Sequence, residues 1–471
     1  MVCYINWHFA SLNSAFGCHP VQRLYIINRE TSMKKTGAII ALTILALILF
    51  QACSDATTEY LRQGDTYYDQ GQFVEAIAEY TKAIDANPNL VTAYTHRGAV
   101  YNARAEWDLA IADLTKAIQL DPSRPDDYQN RAFAYLAKNQ YDQAIDDLNK
   151  TVQLDPKAKL AYTNLSWLYV QKGEWDKAVD AATRAVALDP NDYDAYFNRG
   201  SAYYAKGDSK DALADMNSAI NINPNVAPAY SYRGKIYIIT DNISGSLQQF
   251  DTALSIDPDL AEAYKMRGLA NIELKNVNAA LKDLNAAVGL DDSDPMAYYY
   301  RGHLYNADKD FDHALQDLNK AIDLTASAST VPNSHDPFAN DLAGMYFERA
   351  ISYRGELQLE KAVADAKKAV QLNPDNIMAQ ISLGEMLITN ADVENGLDVL
   401  NRAIQIDPTI PEAYLNRAAA LDILAHTSQN LDYYPLEAAD LRKVLQISKD
   451  QDQIDTATAA LRMMQSKGYI P

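Results

Sequence analysis

Tyrosine recurs at a fixed interval along most of this chain, and that interval constrains the fold more than any other feature. The sequence has 31 tyrosines among 471 residues, so eight successive tyrosines at one spacing do not arise by chance. They lie 34 residues apart, at Tyr60, Tyr94, Tyr128, Tyr162, Tyr196, Tyr230, Tyr264 and Tyr298. A period of this length indicates stacked supersecondary units, each of which buries its apolar face against its neighbours.

Other residues follow the same period and predict the content of each unit. Gly98 and Tyr101 follow Tyr94 by four and seven residues, and Ala117 follows Ala110 by seven. Such spacing places each set on one face of a helix. Each unit is therefore predicted to be two helices that approach closely at small residues. A proline ends the second helix at Pro88, Pro122, Pro156, Pro190, Pro224 and Pro258, and again at Pro374 and Pro408.

This pattern resembles the tetratricopeptide repeats, a family of paired-helix repeats. The resemblance is carried by segments such as Ala93–Tyr101, Ala110–Ile111 and Ala117–Pro122 and by their counterparts in other units. Eleven units begin near residues 57, 91, 125, 159, 193, 227, 261, 295, 343, 377 and 411. The resemblance implies an all-α fold: a right-handed superhelical solenoid of about eleven 34-residue helix-turn-helix repeats with a C-terminal capping helix.

Two insertions interrupt the repeats. Repeats 1–8 occupy residues 57–328, and residues 329–342, which include Pro332 and Pro337, are predicted to be an exposed loop. Repeats 9–11 occupy residues 343–448, with about seven residues around Gln429–Pro435 lengthening the turn inside repeat 11.

The last segment, residues 449–471, is predicted to cap the stack. Its helix should cover Gln451–Lys467, with one apolar face and one polar face, as a solvated cap requires. The apolar face consists of Ile454, Ala457, Leu461 and Met464.

The N-terminal segment indicates export. Two lysines after Met33 precede fourteen uncharged, mostly aliphatic residues, Gly37–Phe50, and a small residue then precedes Cys53. This order predicts a secretory signal at residues 33–52. The final cysteine resembles a bacterial lipoprotein signal, which implies lipidation of Cys53 and a short tether at residues 53–56. The alternative is an uncleaved anchor, since the uncharged stretch at residues 36–54 barely suffices to span a membrane.

Both alternatives leave the repeats on the outer face of a bacterial membrane, because the two lysines stay inside. Residues 1–32 precede the signal and show no helical period, so we interpret them as a non-native upstream extension and Met33 as the start. Cys53 would then be the only cysteine, and packing alone would hold the exported chain.

Composition and motifs argue against several functions. The formal net charge of −20 disfavours nucleic acid and anionic lipid heads as partners, and favours cationic or neutral partners or simply solubility. The histidines are scattered, and the glycines are explained by the repeat period. The acidic segment Asp291–Asp294 lacks the central glycine and later acidic ligand of a calcium loop. We therefore predict no enzyme activity, no cofactor and no metal site.

A periodic row of arginines has two interpretations. Each arginine precedes the glycine or alanine site of a first helix, at Arg97, Arg131, Arg199, Arg233, Arg267, Arg301, Arg349 and Arg417. Alone, the row would suit an anionic ligand. Aspartates recur with the same phase on the second helices, at Asp113, Asp147, Asp215, Asp283, Asp317 and Asp365. The matched rows favour structural ion pairs between helices.

The predicted function is protein binding. Stacked helix pairs leave a concave surface suited to extended or helical partner segments, lined in the family by the first helices. Asparagine amides can grip a peptide backbone, and aromatic rings can anchor side chains. The candidate groove residues are Asn130, Asn164, Asn198, Phe133, Trp167 and Tyr204. We expect a membrane-tethered scaffold that binds proteins or extended peptides. The alternative is an assembly component of an envelope machine for pili or outer-membrane biogenesis.

Overall fold

The structure is a computed structural model, and it describes residues 42, 43, 45, 56–327 and 341–471. The predictions made for residues 1–32, for the signal segment as a whole, for Cys53 and for residues 329–340 concern residues outside these ranges. The described residues belong to two compact units, one ending at Ala202 and the other beginning at Tyr203.

Helices and their short connections make up both units, and no strand occurs in the described ranges. The first unit contains α1 (56–69), α2 (Phe73–Ala86), α3 (Val91–Ala103), α4 (Trp107–Leu120), α5 (Pro125–Ala137), α6 (Tyr141–Leu154), α7 (Lys159–Gln171), α8 (Trp175–Leu188) and most of α9 (Tyr193–Ala205). The second unit contains α10 (Ser209–Ile222), α11 (Ala227–Ile239), α12 (Ile243–Ile256), α13 (Ala261–Glu273), α14 (Val277–Leu290), α15 (Pro295–Ala307), α16 (Phe311–Ser327), α17 (Leu342–Gly355), α18 (Leu359–Leu372), α19 (Ile377–Thr389), α20 (Val393–Ile406), α21 (Pro411–Ser428), α22 (Tyr433–Ile447) and α23 (Gln451–Ser466).

The odd-numbered helices up to α21 are the first helices of the repeats, and the even-numbered helices are the second. Within each unit a first helix packs on the second helix of its repeat, and that second helix packs on the next first helix. This arrangement confirms the prediction of an all-α stack of helix pairs.

Glycines on the first helices allow the close approach that the spacing predicts. A Cβ atom added to Gly98 would lie 2.8 Å from Leu114 Cγ, and one added to Gly302 would lie 2.8 Å from Leu318 Cγ. Both leucines are completely buried. The same bulky position on the second helix is filled by Phe250 opposite Gly234. The glycines are thus required by packing, and a side chain there would displace the core.

In four of the described repeats, a hydrogen bond joins the periodic tyrosine to the proline before it. The hydroxyl of Tyr128 donates to the carbonyl oxygen of Pro122 at 3.2 Å, and Tyr230 makes the same bond to Pro224 at 3.1 Å. An aspartate or asparagine before each proline closes the turn, as when Asp121 Oδ1 accepts from the backbone N–H of Ser123 at 3.0 Å. At these links, the tyrosine hydroxyl, the proline carbonyl and the side chain before the proline together fix the connection between consecutive repeats.

Repeat 11 differs from its prediction. The insertion around Gln429–Pro435 does not simply lengthen the turn, because the first helix, α21, continues to Ser428. Gln429 then ends the helix in a left-handed conformation with φ of 54°. The capping helix α23 buries Ala457 and Met464 of its predicted apolar face. It packs on α22, as expected for a cap.

Candidate functional site

The arginine row holds neighbouring helices together. Arg97 of α3 makes two hydrogen bonds to the carboxylate of Asp113 on α4, at 2.7 and 2.9 Å. Its remaining nitrogen donates to Thr81 of the preceding second helix at 2.9 Å. Bidentate pairs between guanidinium and carboxylate also form at Arg131, Arg267, Arg301, Arg349 and Arg417. The hydrogen bonds confirm the structural interpretation of this row over the anionic-ligand interpretation.

Tyrosine rings flank these guanidinium groups. The Arg97 guanidinium carbon lies 5.9 Å from the Tyr94 ring centroid and 6.0 Å from the Tyr101 ring centroid. The hydrogen bonds to Asp113 raise the pKa of Arg97, although burial opposes them. Each such arginine is held by ion pair, hydrogen bond and ring contact at once, and has little capacity left for a ligand.

Arg233 is an exception within this row. Its nitrogens donate to Gln249 Oε1 at 2.9 and 2.6 Å and to Asn217 Oδ1 at 2.9 Å. Both acceptors are neutral amides, where Arg97 has a carboxylate. The geometry of the row is kept in repeat 6, but the ion pair is lost.

Four of the predicted groove residues lie exposed or half-exposed on two neighbouring first helices. Phe133 on α5 is 52% exposed and Trp167 on α7 is 38% exposed. Asn130 and Asn164 precede these rings by three residues and are half-buried. Neither asparagine side chain has a hydrogen-bond partner among the described residues. We call these four residues the α5–α7 surface.

Asn198 and Tyr204 do not share that environment. Asn198 is 6% exposed, and its amide nitrogen donates to Ser166 Oγ at 3.0 Å and to the carbonyl of Thr163 at 3.4 Å. Tyr204 is 3% exposed and packs edge-to-face on Tyr232 with 5.6 Å between centroids. The donors of Asn198 serve the contact between repeats, and the Tyr204 ring serves the core. The α5–α7 surface therefore does not include them.

A row of alternating charges on the first helices of the second unit was not identified from the sequence. Lys235 Nζ lies 3.1 Å from Glu262 Oε1, and Lys265 Nζ lies 2.5 Å from Glu262 Oε2 and 2.7 Å from Asp294 Oδ2. Both lysines are buried. Burial pushes the pKa of Glu262 upward, but the two ammonium groups outweigh it and lower the pKa to about 2.

The same balance acts on Lys265. Burial alone would lower its pKa, and Glu262 and Asp294 raise it instead. Two cations and two anions thus compensate one another along α11, α13 and the start of α15. The row stabilises charge inside the stack and leaves no net cation for an anionic ligand.

Two further features of the described residues bear on function. Among the described residues, no cluster of histidine, cysteine, aspartate and glutamate has the geometry to bind a metal ion. None of the helices in the described ranges has the length and apolar character needed to cross a membrane.

Comparisons with known proteins agree with the architecture. A family model described as TPR repeat matches residues 64–103, and one described as tetratricopeptide repeat matches residues 130–192, 163–227 and 266–329. No curated protein sequence matches.

One solved structure has the same fold over most of the chain, and two shorter structures are similar to part of it. A chain of the APC/C hetero-tetramer Cut9–Hcn1 is 15% identical with a TM-score of 0.51, over 77% of this chain and 75% of that one. The MamA protein is 29% identical with a TM-score of 0.35, over 36% of this chain and 94% of that one. YrrB, a TPR protein with an unusual peptide-binding site, is 27% identical with a TM-score of 0.36, over 39% and 95%.

Helix pairs stacked at a 34-residue period define a protein-binding scaffold, a class whose folds are typically non-catalytic. The chain is a tetratricopeptide repeat protein.

Proposed function

We propose that this chain is a membrane-tethered scaffold that binds proteins or extended peptides on the exposed face of its first helices. The observation that carries the proposal is the α5–α7 surface. Two aromatic rings stand partly in solvent there, beside two asparagine amides without partners among the described residues. An exposed aromatic ring gains from a partner that covers it, and an amide that is not used within the stack can both donate to and accept from a peptide backbone.

The rest of the periodic side chains support this placement by elimination. Six of the arginines bind aspartates on neighbouring helices, Arg233 binds neutral amides there, four of the tyrosine hydroxyls bind proline carbonyls, and the glycines admit bulky core residues. These groups are used within the stack. A partner must therefore be recognised by residues that vary between repeats, and on α5 and α7 those are aromatic and amide side chains.

The tether rests on the N-terminal sequence. A basic segment, an apolar stretch and a small residue precede Cys53 in the order that a lipoprotein signal requires. Lipidation at Cys53 would place the repeats on the outer face of a bacterial membrane. The net charge of −20 would keep the repeats away from anionic lipid heads, so that the binding surface stays accessible.

Binding is tested by crosslinking the full chain in cells and isolating its partners. The double change Asn130→Ala and Asn164→Ala should reduce capture of partners at least tenfold without loss of helical content. Asn221→Ala with Asn278→Ala, two exposed asparagines on second helices, is the matched control. Equal capture by both variants would refute the α5–α7 surface. Stoichiometric envelope proteins, retained by both, would indicate an assembly component instead.

The tether is tested separately. Cys53→Ser should leave the precursor uncleaved and abolish incorporation of a labelled fatty acid. Peptides from residues 1–32 in the mature native protein would contradict the start at Met33. An acyl label that persists in the serine variant would contradict lipidation at Cys53.

A further inference from the structure

Acidic side chains flank the α5–α7 surface on both sides. Asp126 lies seven residues before Phe133 on α5, and Asp194 lies near the start of α9; both are exposed. Residues seven apart share a helix face, so Asp126 lies on the face that carries Phe133. Between the two acids, on α7, Leu160 is 57% exposed and precedes Trp167 by seven residues.

These two aspartates lack cationic partners among the described residues, whereas nearby cations are already paired. Arg131 binds Asp147, and Lys159 of α7 binds Asp189 at 2.9 Å. Although Asp194 is exposed by surface area, partial desolvation of its carboxyl group by neighbouring atoms, with a smaller effect from Asp192, raises its pKa. An ionised carboxylate in this position would be stabilised by a cation supplied from outside.

The exposed rings are held in place before any partner binds. Phe133 packs edge-to-face on Trp107 with 5.8 Å between centroids, and Trp167 packs edge-to-face on Tyr141 at 5.7 Å. Each ring is thus supported by the first residue of the preceding second helix. A supported ring loses little side-chain entropy when a ligand covers it, which favours binding.

The α5–α7 surface and the residues that flank it form three parallel rows across neighbouring first helices. One row contains Asp126, Leu160 and Asp194, and another contains Phe133 and Trp167. Asn130 and Asn164 lie between them. The acidic and aromatic rows are about 10 Å apart, because seven residues of helix rise about 1.5 Å each. An extended peptide that follows the amide row would point alternate side chains toward the two flanking rows.

We infer that the α5–α7 surface binds an extended peptide in which basic residues alternate with apolar residues. The basic side chains face Asp126 and Asp194, and their methylene groups cover Leu160. The apolar side chains cover Phe133 and Trp167. This inference rests on the proposed function, since it names the class of segment that the same surface recognises.

The probe is a nine-residue peptide in which lysine alternates with phenylalanine and leucine. Two comparison peptides have glutamate in place of lysine, or the same composition with lysines and apolar residues in separate blocks. Fluorescence anisotropy with the full chain measures their affinities. We expect the alternating basic peptide to bind at least about tenfold more tightly than the acidic one, and more tightly than the block peptide, with weakening at high salt.

Two sets of variants locate the binding. Asp126→Asn with Asp194→Asn should weaken the alternating peptide about fivefold or more, while Asp312→Asn with Asp323→Asn, exposed acids on α16, should change it less than twofold. The matched pair removes equal charge, so a general effect of net charge is separated from recognition. Trp167→Ala should weaken binding further. Trp167→Phe keeps a ring on Tyr141 and should retain most affinity, which guards against misfolding.

The outcomes separate the two proposals. Equal affinity for basic and acidic peptides, or equal loss in both aspartate pairs, would overturn the inference while groove binding stands. Failure of every peptide to bind, together with unaltered partner capture in the double asparagine variant, would overturn both.

Discussion

We expect Glu437 to make the stability of the last repeat depend on pH. In the other ten repeats its position on the second helix holds a small residue: alanine in eight, Ser246 in repeat 6 and Gly396 in repeat 10. Glu437 is only 5% exposed, and its Oε2 atom is buried without a hydrogen-bond partner in the described ranges. Burying an ionised carboxylate in this way is costly, so the folded repeat favours the protonated form.

The neighbouring groups fix the direction of the shift. Burial is the main cause that raises the pKa of Glu437 from its ordinary 4.5 to about 7. Asp422 on α21 raises it further, and His426 on the same helix lowers it. Tyr434 of α22 and Tyr469 of the C-terminal tail stack on each other at 4.0 Å beside His426.

The raised pKa of Glu437 makes the stability of repeat 11 depend on pH. Because the pKa is higher in the folded state, the contribution of Glu437 is fully present below pH 4.5 and is lost as the pH rises through 7. At about 1.36 kcal/mol per pKa unit, the full difference between 4.5 and 7 is about 3 kcal/mol. Between pH 5 and pH 8 the free energy that protects α22 from exchange should fall by about 2–3 kcal/mol.

Hydrogen exchange measures this effect in the repeat itself, since distant repeats couple weakly to it. Exchange rates in α22, corrected for the intrinsic effect of pH, should show the fall in the native protein. Glu437→Gln should remove it, because glutamine stays neutral. Glu360→Gln, an exposed glutamate on α18, should leave it unchanged. A pH dependence of α22 that survives in Glu437→Gln would refute the assignment to this carboxyl group.

Three further predictions concern the stack. Gly302→Ala should destabilise the protein by about 1–3 kcal/mol, because the added Cβ would contact a buried leucine. Gly289 has open space around it, so Gly289→Ala should stabilise its helix by about 0.5–1 kcal/mol. Thermal unfolding followed by circular dichroism compares the two variants, and a change of the same sign in both would contradict the packing argument. Arg267→Gln should destabilise the protein by about 2–3 kcal/mol, because it removes hydrogen bonds to carboxylates. Arg233→Gln removes hydrogen bonds to neutral amides and should cost about 1 kcal/mol. Urea unfolding measures both changes, and the reverse order would contradict this reasoning. Leu357 has a left-handed backbone conformation with φ of 58°, which costs energy for a residue with a Cβ atom. Leu357→Gly should therefore raise stability by up to about 1 kcal/mol in urea unfolding, and a loss of stability would contradict backbone strain at this position.

The sequence predicted the helix pairs well because their determinants are periodic. Tyrosine, glycine and proline each have one structural task per repeat, and each task recurs every 34 residues. The middle residue of the turn between paired helices also recurs with the period, but its conformation was not recognised from the sequence. It adopts positive φ at Lys275, Leu357 and Ala391 as well as at Gly173. Since residues other than glycine occupy this site, composition did not reveal the left-handed turn.

The candidate site was predicted only in part because equivalent positions have different neighbours. Asn130, Asn164 and Asn198 look alike in the sequence. Ser166 explains why Asn198 turns inward, since repeat 4 has a hydroxyl where other repeats have glycine or alanine, and Asn198 donates to it. The charged row from Lys235 to Asp294 was missed for a related reason. Its partners on different helices are 27 and 29 residues apart, so a comparison at a spacing of 34 does not align them.

Buried departures from the repeat pattern are therefore the most informative positions in this chain. Asp127 occupies an alanine site, lies fully buried and accepts a hydrogen bond from Thr95 Oγ1 at 2.5 Å. Burial raises its pKa, as it does for Glu437, but the threonine hydroxyl opposes the shift. A stack of identical repeats would present the same side chains to a partner, and respond to pH in the same way, along its whole length. A buried acid lowers the stability of its repeat, and an exposed ring lowers its solubility. We therefore expect recognition and regulation to involve the repeats that contain such residues.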